Sequence, residues 1–299
     1  MTGIKGINSI LFIADNAPDE RYAFKKTVDF AQKFQARIVI MDVLELSALE
    51  GDVIRKVHSI ANLQEKLLEV RTKELQDMIA PYLSSGVEMR IKVRIGRLHQ
   101  EAVQAISRGG HKLLVKSIKG PKNHPQSIGP MDTRLIHHVP CPVLILRKHN
   151  PGPVISAVAL TSNHGDESLI EDQVFRFGHA LADMSQTTLH LAHAWELPDE
   201  KILRAVGTEN ENELLRLRIR ESHQYLIDKM MARHPEIIAS PHLLEGWASS
   251  VIPKLVDELQ AGMLILGFNQ RNVQGNMTPG SILEVILHLA NCSIMIIKS

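Results

Sequence analysis

The stretch of this sequence best suited to chemistry is the segment 264–281, near the C-terminus. A short apolar run ends at Gly267, and after a polar loop Gly280 and Ser281 precede a helical pattern. This pattern predicts a strand, a loop and a helix N-terminus, where unpaired N–H groups and the helix dipole can bind an anion. Gly267 would let a ligand approach the backbone, and Ser281 would cap the helix or donate to a phosphate. An ordinary helix start explains Gly280 and Ser281 equally well.

Composition limits the classes of function that need to be considered. The chain has 299 residues, of which 44% are hydrophobic and 22% charged, as in globular proteins that form a core. A formal net charge of +1 gives no electrostatic reason to expect nucleic acid or an anionic membrane surface as a partner. Two cysteines in the whole chain fit a reducing compartment. With no long apolar stretch, we expect a cytoplasmic protein without a membrane span.

Residues for catalysis or metal binding do not form any familiar motif. The sequence lacks a P-loop, an HExxH or CxxC pair and a Gly-x-Ser-x-Gly elbow, so no catalytic residue and no metal ligand is assigned. His190 and His193 are close in sequence, but their odd spacing on a predicted strand points them to opposite faces. Cys141 and Cys292 each precede a final strand and are interpreted as small buried residues.

The elements that would position the ligand loop alternate between strand and helix. Apolar runs predict five strands in the first half, at 10–14, 37–44, 89–95, 113–115 and 143–146. The third of these alternates apolar and basic residues, which is typical of a half-exposed edge strand. Such alternation favours a doubly wound parallel sheet, of the Rossmann-like α/β class, with helices on both faces. The Pro- and Gly-containing segment 148–154 is interpreted as a linker.

The same order of elements returns after the linker, with matching residues. Segment 136–147 aligns with segment 287–298 at one constant offset, which pairs His137 with His288 and Cys141 with Cys292. We therefore predict two tandem copies of one α/β unit, each of an ordinary domain size, at residues 1–148 and 154–299. In open α/β sheets, ligands bind beyond the carboxyl ends of the strands where strand order reverses.

Taken together, these features resemble the universal stress proteins, in two copies over nearly the whole chain. The tandem arrangement is most similar to the E-type members of bacteria. The resemblance implies a five-stranded parallel sheet with an Asp at the end of strand one. After strand four it implies a loop with the pattern Gly, two residues, Gly, nine residues, then Gly-Ser or Gly-Thr. In ATP-binding members this loop holds the phosphates and the Asp helps to hold the adenine.

The second copy retains most of the implied phosphate loop. Gly267, Gly280 and Ser281 keep the family spacing, whereas Gln270 replaces the middle glycine and is followed by Arg271. If that middle position needs a positive φ or close backbone approach, Gln270 carries a steric penalty. The strand-one Asp is missing, since Ala159 or Leu160 holds its place.

The first copy shows the reverse pattern. Asp15 and Gly129 match the family, but Lys116 stands at the first glycine and Lys119 at the middle one. Pro130 takes the Ser/Thr place and removes a backbone donor there. Lys116, Lys119 and Lys122 of this loop could bind an anion as point charges, but the pattern favours a solvated loop. Neither copy therefore carries a complete ATP site.

Together with the resemblance, these observations predict a non-enzymatic stress-response protein that binds a small ligand in the second-copy cleft. The expected ligand is a nucleotide or another phosphorylated or amphipathic molecule, and whether ATP binds in the second copy stays open. The alternative is a protein-interaction scaffold of the stress response without a small-molecule ligand; weak ATP hydrolysis ranks last. The resemblance also implies that the two copies form an internal pseudo-dimer through strand five, while a further homodimer stays open.

Overall fold

The computed structural model describes residues 6–45, 61–118, 128–148, 151–161, 167–197, 208–268 and 282–298. These residues fall into two compact units, one within 5–148 and the other within 149–299. Each unit is an α/β domain with five parallel strands, which confirms the predicted fold class. The domain boundaries and the internal pseudo-dimer stay predictions.

The first unit alternates strands and helices along the chain. Its elements are β1 (Ser9–Ala14), α1 (Glu20–Phe34), β2 (Arg37–Leu44), α2 (Ala61–Ile79) continued by a 3-10 helix (Ala80–Ser85), β3 (Met89–Ile95), α3 (Leu98–Gly109), β4 (Leu113–Ser117), α4 (Pro130–His138) and β5 (Val143–Leu146). The sheet order is β3-β2-β1-β4-β5, with every pair parallel.

Burial in the first unit explains why these segments form strands and helices. Every residue of β1 is buried, as expected for a central strand covered on both faces. Strand β3 lies at the edge of the order and alternates half-buried with exposed residues over most of its length, which confirms the edge-strand prediction. Phe24 of α1 packs edge-on against Phe12 of β1 and Tyr82, with ring centroids 5.2 and 5.5 Å away.

The second unit repeats this order. Its elements are β6 (Val154–Val158), α5 (Glu167–Ser185), β7 (Leu189–Trp195), α6 (Glu209–Arg233), β8 (Ser240–Glu245), α7 (Ala248–Glu258), β9 (Met263–Phe268), α8 (Ile282–Leu289) and β10 (Ser293–Lys298). The sheet order is β10-β9-β6-β7-β8, again all parallel. Both cysteines are buried, as the sequence predicts.

The predicted elements recur in the structure, with differences at their ends. The sequence pattern predicts a short helix over 101–107, and helix α3 begins three residues earlier, at Leu98. The apolar spacing over 53–82 predicts one long helix. Its described part begins at Ala61 and tightens to a 3-10 helix at Ala80 and Pro81. A proline in the first turn is compatible with a new helical start but cannot continue the α-helical bonds, which explains the change.

Candidate functional site

Both units reverse their strand order beside the first strand of each unit. In the first unit β2 and β3 lie on one side of β1, whereas β4 and β5 lie on the other. In the second unit β6 and β9 meet in the same way. The carboxyl ends of these adjacent strands form the crevice where ligands of open α/β sheets bind. We refer to these two places as the first-unit cleft and the second-unit cleft.

A buried cluster of three charged side chains fills part of the first-unit cleft. Nζ of Lys116, on β4, lies 2.7 Å from Oδ2 of Asp15 and 2.8 Å from Oδ1 of Asp132. The same ammonium donates to the backbone oxygen of Ser117 at 3.0 Å. The Lys116 side chain is 1% exposed. Asp15 follows β1 and Asp132 lies in the first turn of α4, so three separate elements bring the charges together.

The environment of the cluster keeps Lys116 protonated. Burial alone lowers the pKa of Lys116, but the carboxylates of Asp132 and Asp15 outweigh this effect and raise the pKa above its ordinary value. Burial raises the pKa of Asp132, and the neighbouring Lys116 offsets only part of that increase. Asp132 also accepts a bond from the Gly129 N–H at the start of α4. The cluster thus satisfies its own charges within the fold.

A second buried ion network fixes the chain on either side of Asp15. The Glu20 carboxylate accepts bonds from the backbone N–H groups of Asp15 and Asn16, at 2.6 and 2.8 Å. Arg71 of α2 binds Glu20 at 3.4 Å and donates a short bond to Asp42 at the end of β2. Because these carboxylates and the guanidinium are all buried, the network holds the end of β1 in one geometry.

The second-unit cleft contains an apolar cavity of about 440 Å³. Among the described residues that line it, all are apolar except Thr161 and Glu171. Ala159 lies at its rim, beyond β6, and α8 contributes apolar side chains of its first turns. The volume falls in the range of small-molecule sites. Such a lining can hold the apolar part of a ligand, and it offers little to a charged group.

Strand register shows which residues of the two units correspond. Ala14 of β1 pairs with Asp42 of β2, and Val158 of β6 pairs with His193 of β7 in the same way. Ala14 therefore corresponds to Val158, and the next residue, Asp15, corresponds to Ala159. Ile13 pairs with Lys116 as Ala157 pairs with Leu266. After α4 the Val139 N–H donates to the Leu135 C=O, and after α8 the Ala290 N–H donates to the Ile286 C=O, so Val139 corresponds to Ala290. Counting back the same number of residues from each places Asp132 opposite Leu283.

This register corrects one part of the sequence alignment. The motif spacing in the sequence places Lys116 opposite Gly267, at the first glycine of the motif. The structure places Lys116 opposite Leu266 and Ser117 opposite Gly267, because the second unit has one more residue between its fourth and fifth strands. Lys116 is consequently a buried strand residue, and the interpretation of this lysine as part of a solvated loop is wrong.

The two clefts therefore differ in chemistry at three corresponding positions. The first unit has Asp15, Lys116 and Asp132, and the second has Ala159, Leu266 and Leu283, all three of which line the cavity. The ion cluster of the first unit thus corresponds to part of the apolar cavity wall in the second. Sequence reasoning missed Asp132, although an Asp three residues after Gly129 fits a helix N-terminus and could have indicated it.

Gly267 lines the cavity, but its packing gives a second reason for a glycine. A Cβ at this position would lie 2.7 Å from Cγ2 of Ile170 on α5. Real side chains do not approach that closely, so any larger residue would push Ile170 or α5 away from the sheet. Gly267 is therefore required by the contact between β9 and α5, whether or not a ligand approaches its backbone.

Replacing Gly267 by alanine should lower the free energy of unfolding by about 1–3 kcal/mol, the usual cost of overpacking. The Ile170→Ala variant makes room for the added methyl group, so the double variant should lose less stability than the sum of the two single variants. Urea unfolding of the four proteins measures this coupling. Additive losses would show that the contact between positions 267 and 170 does not determine the choice of glycine.

Histidine pairs lie on both faces of β7, as the odd spacing predicts. His190 Nδ1 lies 2.8 Å from His242 Nε2 on β8, and His193 Nε2 lies 2.8 Å from His223 Nδ1 on α6. Burial lowers the pKa of His193 to about 4. By register His193 corresponds to Asp42, so the pair His193–His223 stands where the first unit has a carboxylate bound by an arginine. Sequence reasoning missed these partners.

The other predicted site residues have different outcomes. Gly129 precedes α4 and contacts Asp132, as described above. Gln270, Arg271, Gly280, Ser281 and Lys119 lie outside the described residues, and their proposed roles stay predictions. Within the described ranges, no group of three or more His, Cys, Asp or Glu side chains could hold a metal ion. No helix in the described part of the chain is long and apolar enough to cross a membrane.

Comparison with known proteins agrees with this fold. The model of the universal stress protein family matches residues 6–147 and 166–298, and the chain belongs to that family. Universal stress protein E of Photorhabdus laumondii is 25% identical over 97% of this chain and 94% of the relative, and that of Escherichia coli is 22% identical over 97% and 93%. This membership supports a role in the stress response.

Solved structures share the tandem fold at low sequence identity. A functionally unknown protein of Pseudomonas aeruginosa has a TM-score of 0.71 and 19% identity, covering 98% of this chain and 93% of that one. A universal stress protein of Archaeoglobus fulgidus has a TM-score of 0.65 and 15% identity, covering 98% of both chains.

Proposed function

We propose that this chain is a non-enzymatic stress-response protein that binds one small ligand in the second-unit cleft. The observation that carries the proposal is the cavity of about 440 Å³ at the reversal point of strand order, walled by apolar side chains. The cavity suits the apolar part of an amphipathic molecule, since burial of apolar surface is the main source of affinity there. Helix α8 starts at the cavity, and its N-terminal dipole favours a phosphate at the polar end.

ATP fits the described residues less well than an amphipathic phosphate. Ala159 stands where the first unit has Asp15, so this position offers no carboxylate to accept a bond from an adenine amino group. Leu266 and Leu283 likewise replace charged side chains. Nucleotides remain within the proposed class, with Gly267, Gln270, Arg271, Gly280 and Ser281 as the proposed phosphate contacts.

The direct test identifies what the protein carries. Freshly purified full-length protein is denatured, and the released small molecules are identified by mass spectrometry. Isothermal titration with n-octyl phosphate and with ATP then compares an amphipathic phosphate with a nucleotide. We expect an amphipathic phosphate to be released and n-octyl phosphate to bind more tightly than ATP. A tightly bound ATP or AMP would place the ligand among the nucleotides instead.

A cavity-filling variant tests whether binding occurs in this cleft. Ala194 lines the cavity and is partly exposed, so Ala194→Leu should fill part of the volume. An overpacking cost of about 1–3 kcal/mol corresponds to roughly 5- to 150-fold weaker n-octyl phosphate binding. The matched control is Ala232→Leu on the exposed surface of α6, which should bind like the parent protein. Equal affinity in both variants would exclude this cavity as the site.

The scaffold function is the second candidate, and one surface favours it. Leu214 and Leu217 lie one turn apart on α6 and are 52% and 46% exposed, and Tyr225 further along is 64% exposed. Exposed apolar side chains grouped in this way are typical of protein contacts. Absence of any released molecule, together with no binding of n-octyl phosphate or ATP, would favour the scaffold. ATP turnover abolished by Ser281→Ala would contradict both non-enzymatic functions.

A further inference from the structure

In the first-unit cleft, the Lys116 ammonium lies between the carboxylates of Asp15 and Asp132. We propose that Asp15 and Asp132 form an alkylammonium-binding site whose permanent occupant is the side chain of Lys116. The first-unit cleft is thereby closed to any external ligand that needs the Asp15 carboxylate. All three residues of this site belong to the first unit, so the site does not depend on the ligand proposed for the second unit.

The contacts of the ammonium are those of a complete binding site. An ammonium has three N–H donors and no acceptor. Lys116 Nζ has three oxygen atoms within 3.0 Å, from Asp15, Asp132 and the backbone of Ser117. These partners come from the end of β1, from α4 and from β4 itself, and the lysine side chain is 1% exposed. Three protein oxygen atoms therefore lie within hydrogen-bonding distance of an ammonium that has three donors.

Comparison of the two units shows that the fold does not require these charges. The same three positions in the second unit are Ala159, Leu266 and Leu283, and that unit forms the same five-stranded sheet. Burying two carboxylates and an ammonium has a large desolvation cost, which an apolar set of similar size avoids. The cluster is thus a property of this cleft rather than of the architecture. Its effect is to bind the carboxylates that would otherwise face a ligand.

Chemical protection of the parent protein gives the first test. Reductive methylation under native conditions, followed by digestion and mass spectrometry, compares Lys116 with the exposed Lys148 and Lys254. Since Lys116 reacts only when the unit opens, we expect its modification to be at least about tenfold slower than that of both controls. In denaturant all three should react alike. Native modification of Lys116 at the rate of the exposed lysines would overturn the proposal.

Chemical rescue gives the second test. Lys116→Ala removes three methylene groups and the ammonium, which together correspond to n-propylammonium. Adding n-propylammonium chloride should raise the thermal midpoint of this variant saturably, by mass action on the folded state. Tetramethylammonium chloride, which has no N–H donor, should not. The matched control is Leu266→Ala, the same position in the second unit, which neither salt should rescue.

The outcomes of the rescue experiment are separable even if the variant is unstable. If Lys116→Ala is unfolded in buffer, n-propylammonium should restore its circular dichroism and tetramethylammonium should not. Equal stabilisation by the two salts, or equal rescue of Leu266→Ala, would contradict a specific ammonium site. A stable Lys116→Ala protein that does not respond to n-propylammonium would contradict it as well. The protection experiment needs no variant and gives an answer in every case.

Discussion

Replacing Arg71 by methionine is expected to lower the free energy of unfolding by about 3–5 kcal/mol, the cost of removing one partner of a buried ion pair. Arg71 is buried, and its guanidinium bonds to the equally buried Asp42 and Glu20. Methionine fills similar space but leaves two carboxylates without their cation. The carboxylates would then have to bind protons or draw in water, and either change costs the folded state free energy relative to the unfolded chain. Urea unfolding followed by circular dichroism measures the loss.

The chain offers a matched control for this substitution. Arg90 on β3 pairs with Glu88, but its side chain is 70% exposed, so Arg90→Met should cost less than about 1 kcal/mol. The double variant Asp42→Leu/Arg71→Met removes a carboxylate together with the cation, and should be more stable than Arg71→Met alone. If Arg71→Met were as mild as Arg90→Met, the network around Asp42 would not stabilise the end of β1.

Acidification is expected to destabilise the second unit as the pH falls from about 6.5 towards 4. Burial lowers the pKa of His193 to about 4. The bond to the Val158 carbonyl raises this pKa and offsets part of the decrease, whereas repulsion from His223 lowers it further. The folded state therefore binds the proton more weakly than the unfolded chain, whose ordinary value is 6.5. Stability from this group is present above pH 6.5 and is lost as the pH falls through this window, by up to about 3 kcal/mol.

The first unit supplies the control for acid sensitivity. The double variant His193→Asp/His223→Arg introduces the residue pair found at Asp42 and Arg71. Because an arginine stays protonated over this range and neither histidine remains to bind a proton, the loss of stability between pH 6.5 and 5 should become smaller. Trp195, which is close to His223, provides a fluorescence signal for unfolding of this unit. An unchanged pH dependence in the variant would show that other groups control it.

Acid sensitivity of this pair bears on the proposed ligand cavity. Nδ1 of His193 lies 3.1 Å from the Val158 oxygen and 3.4 Å from the Leu160 nitrogen, so it donates to the first or accepts from the second, depending on the tautomer. These two residues flank Ala159 at the rim of the cavity. The histidine pair thus positions the backbone that a ligand would touch. Ligand affinity should weaken over the same pH range as stability.

Periodicity in the sequence was sufficient to predict the strands, the helices and the tandem repeat. A buried parallel strand such as β1 is an uninterrupted apolar run, and the edge strand β3 alternates, because each residue's burial is set by its own place in the sheet. The repeated residues around Cys141 and Cys292 showed that one unit occurs twice. Because ligands of open α/β sheets bind beyond the carboxyl ends of the strands, the end of β1 could also be identified as a place for a ligand.

Only the tertiary structure decided what occupies each cleft. Lys116 contacts Asp132, sixteen positions further along the chain, and His193 contacts His223, thirty positions away. The order of the elements that carry these residues can be predicted from the sequence, but the way in which the elements pack against one another cannot. A single additional residue between the fourth and fifth strands moved Lys116 from the glycine position to a buried strand position. Which side chains converge depends on strand register and helix placement, and these follow from packing across the whole unit. For this reason the first unit places a lysine ammonium between two carboxylates, whereas the second unit has an apolar cavity at the corresponding positions.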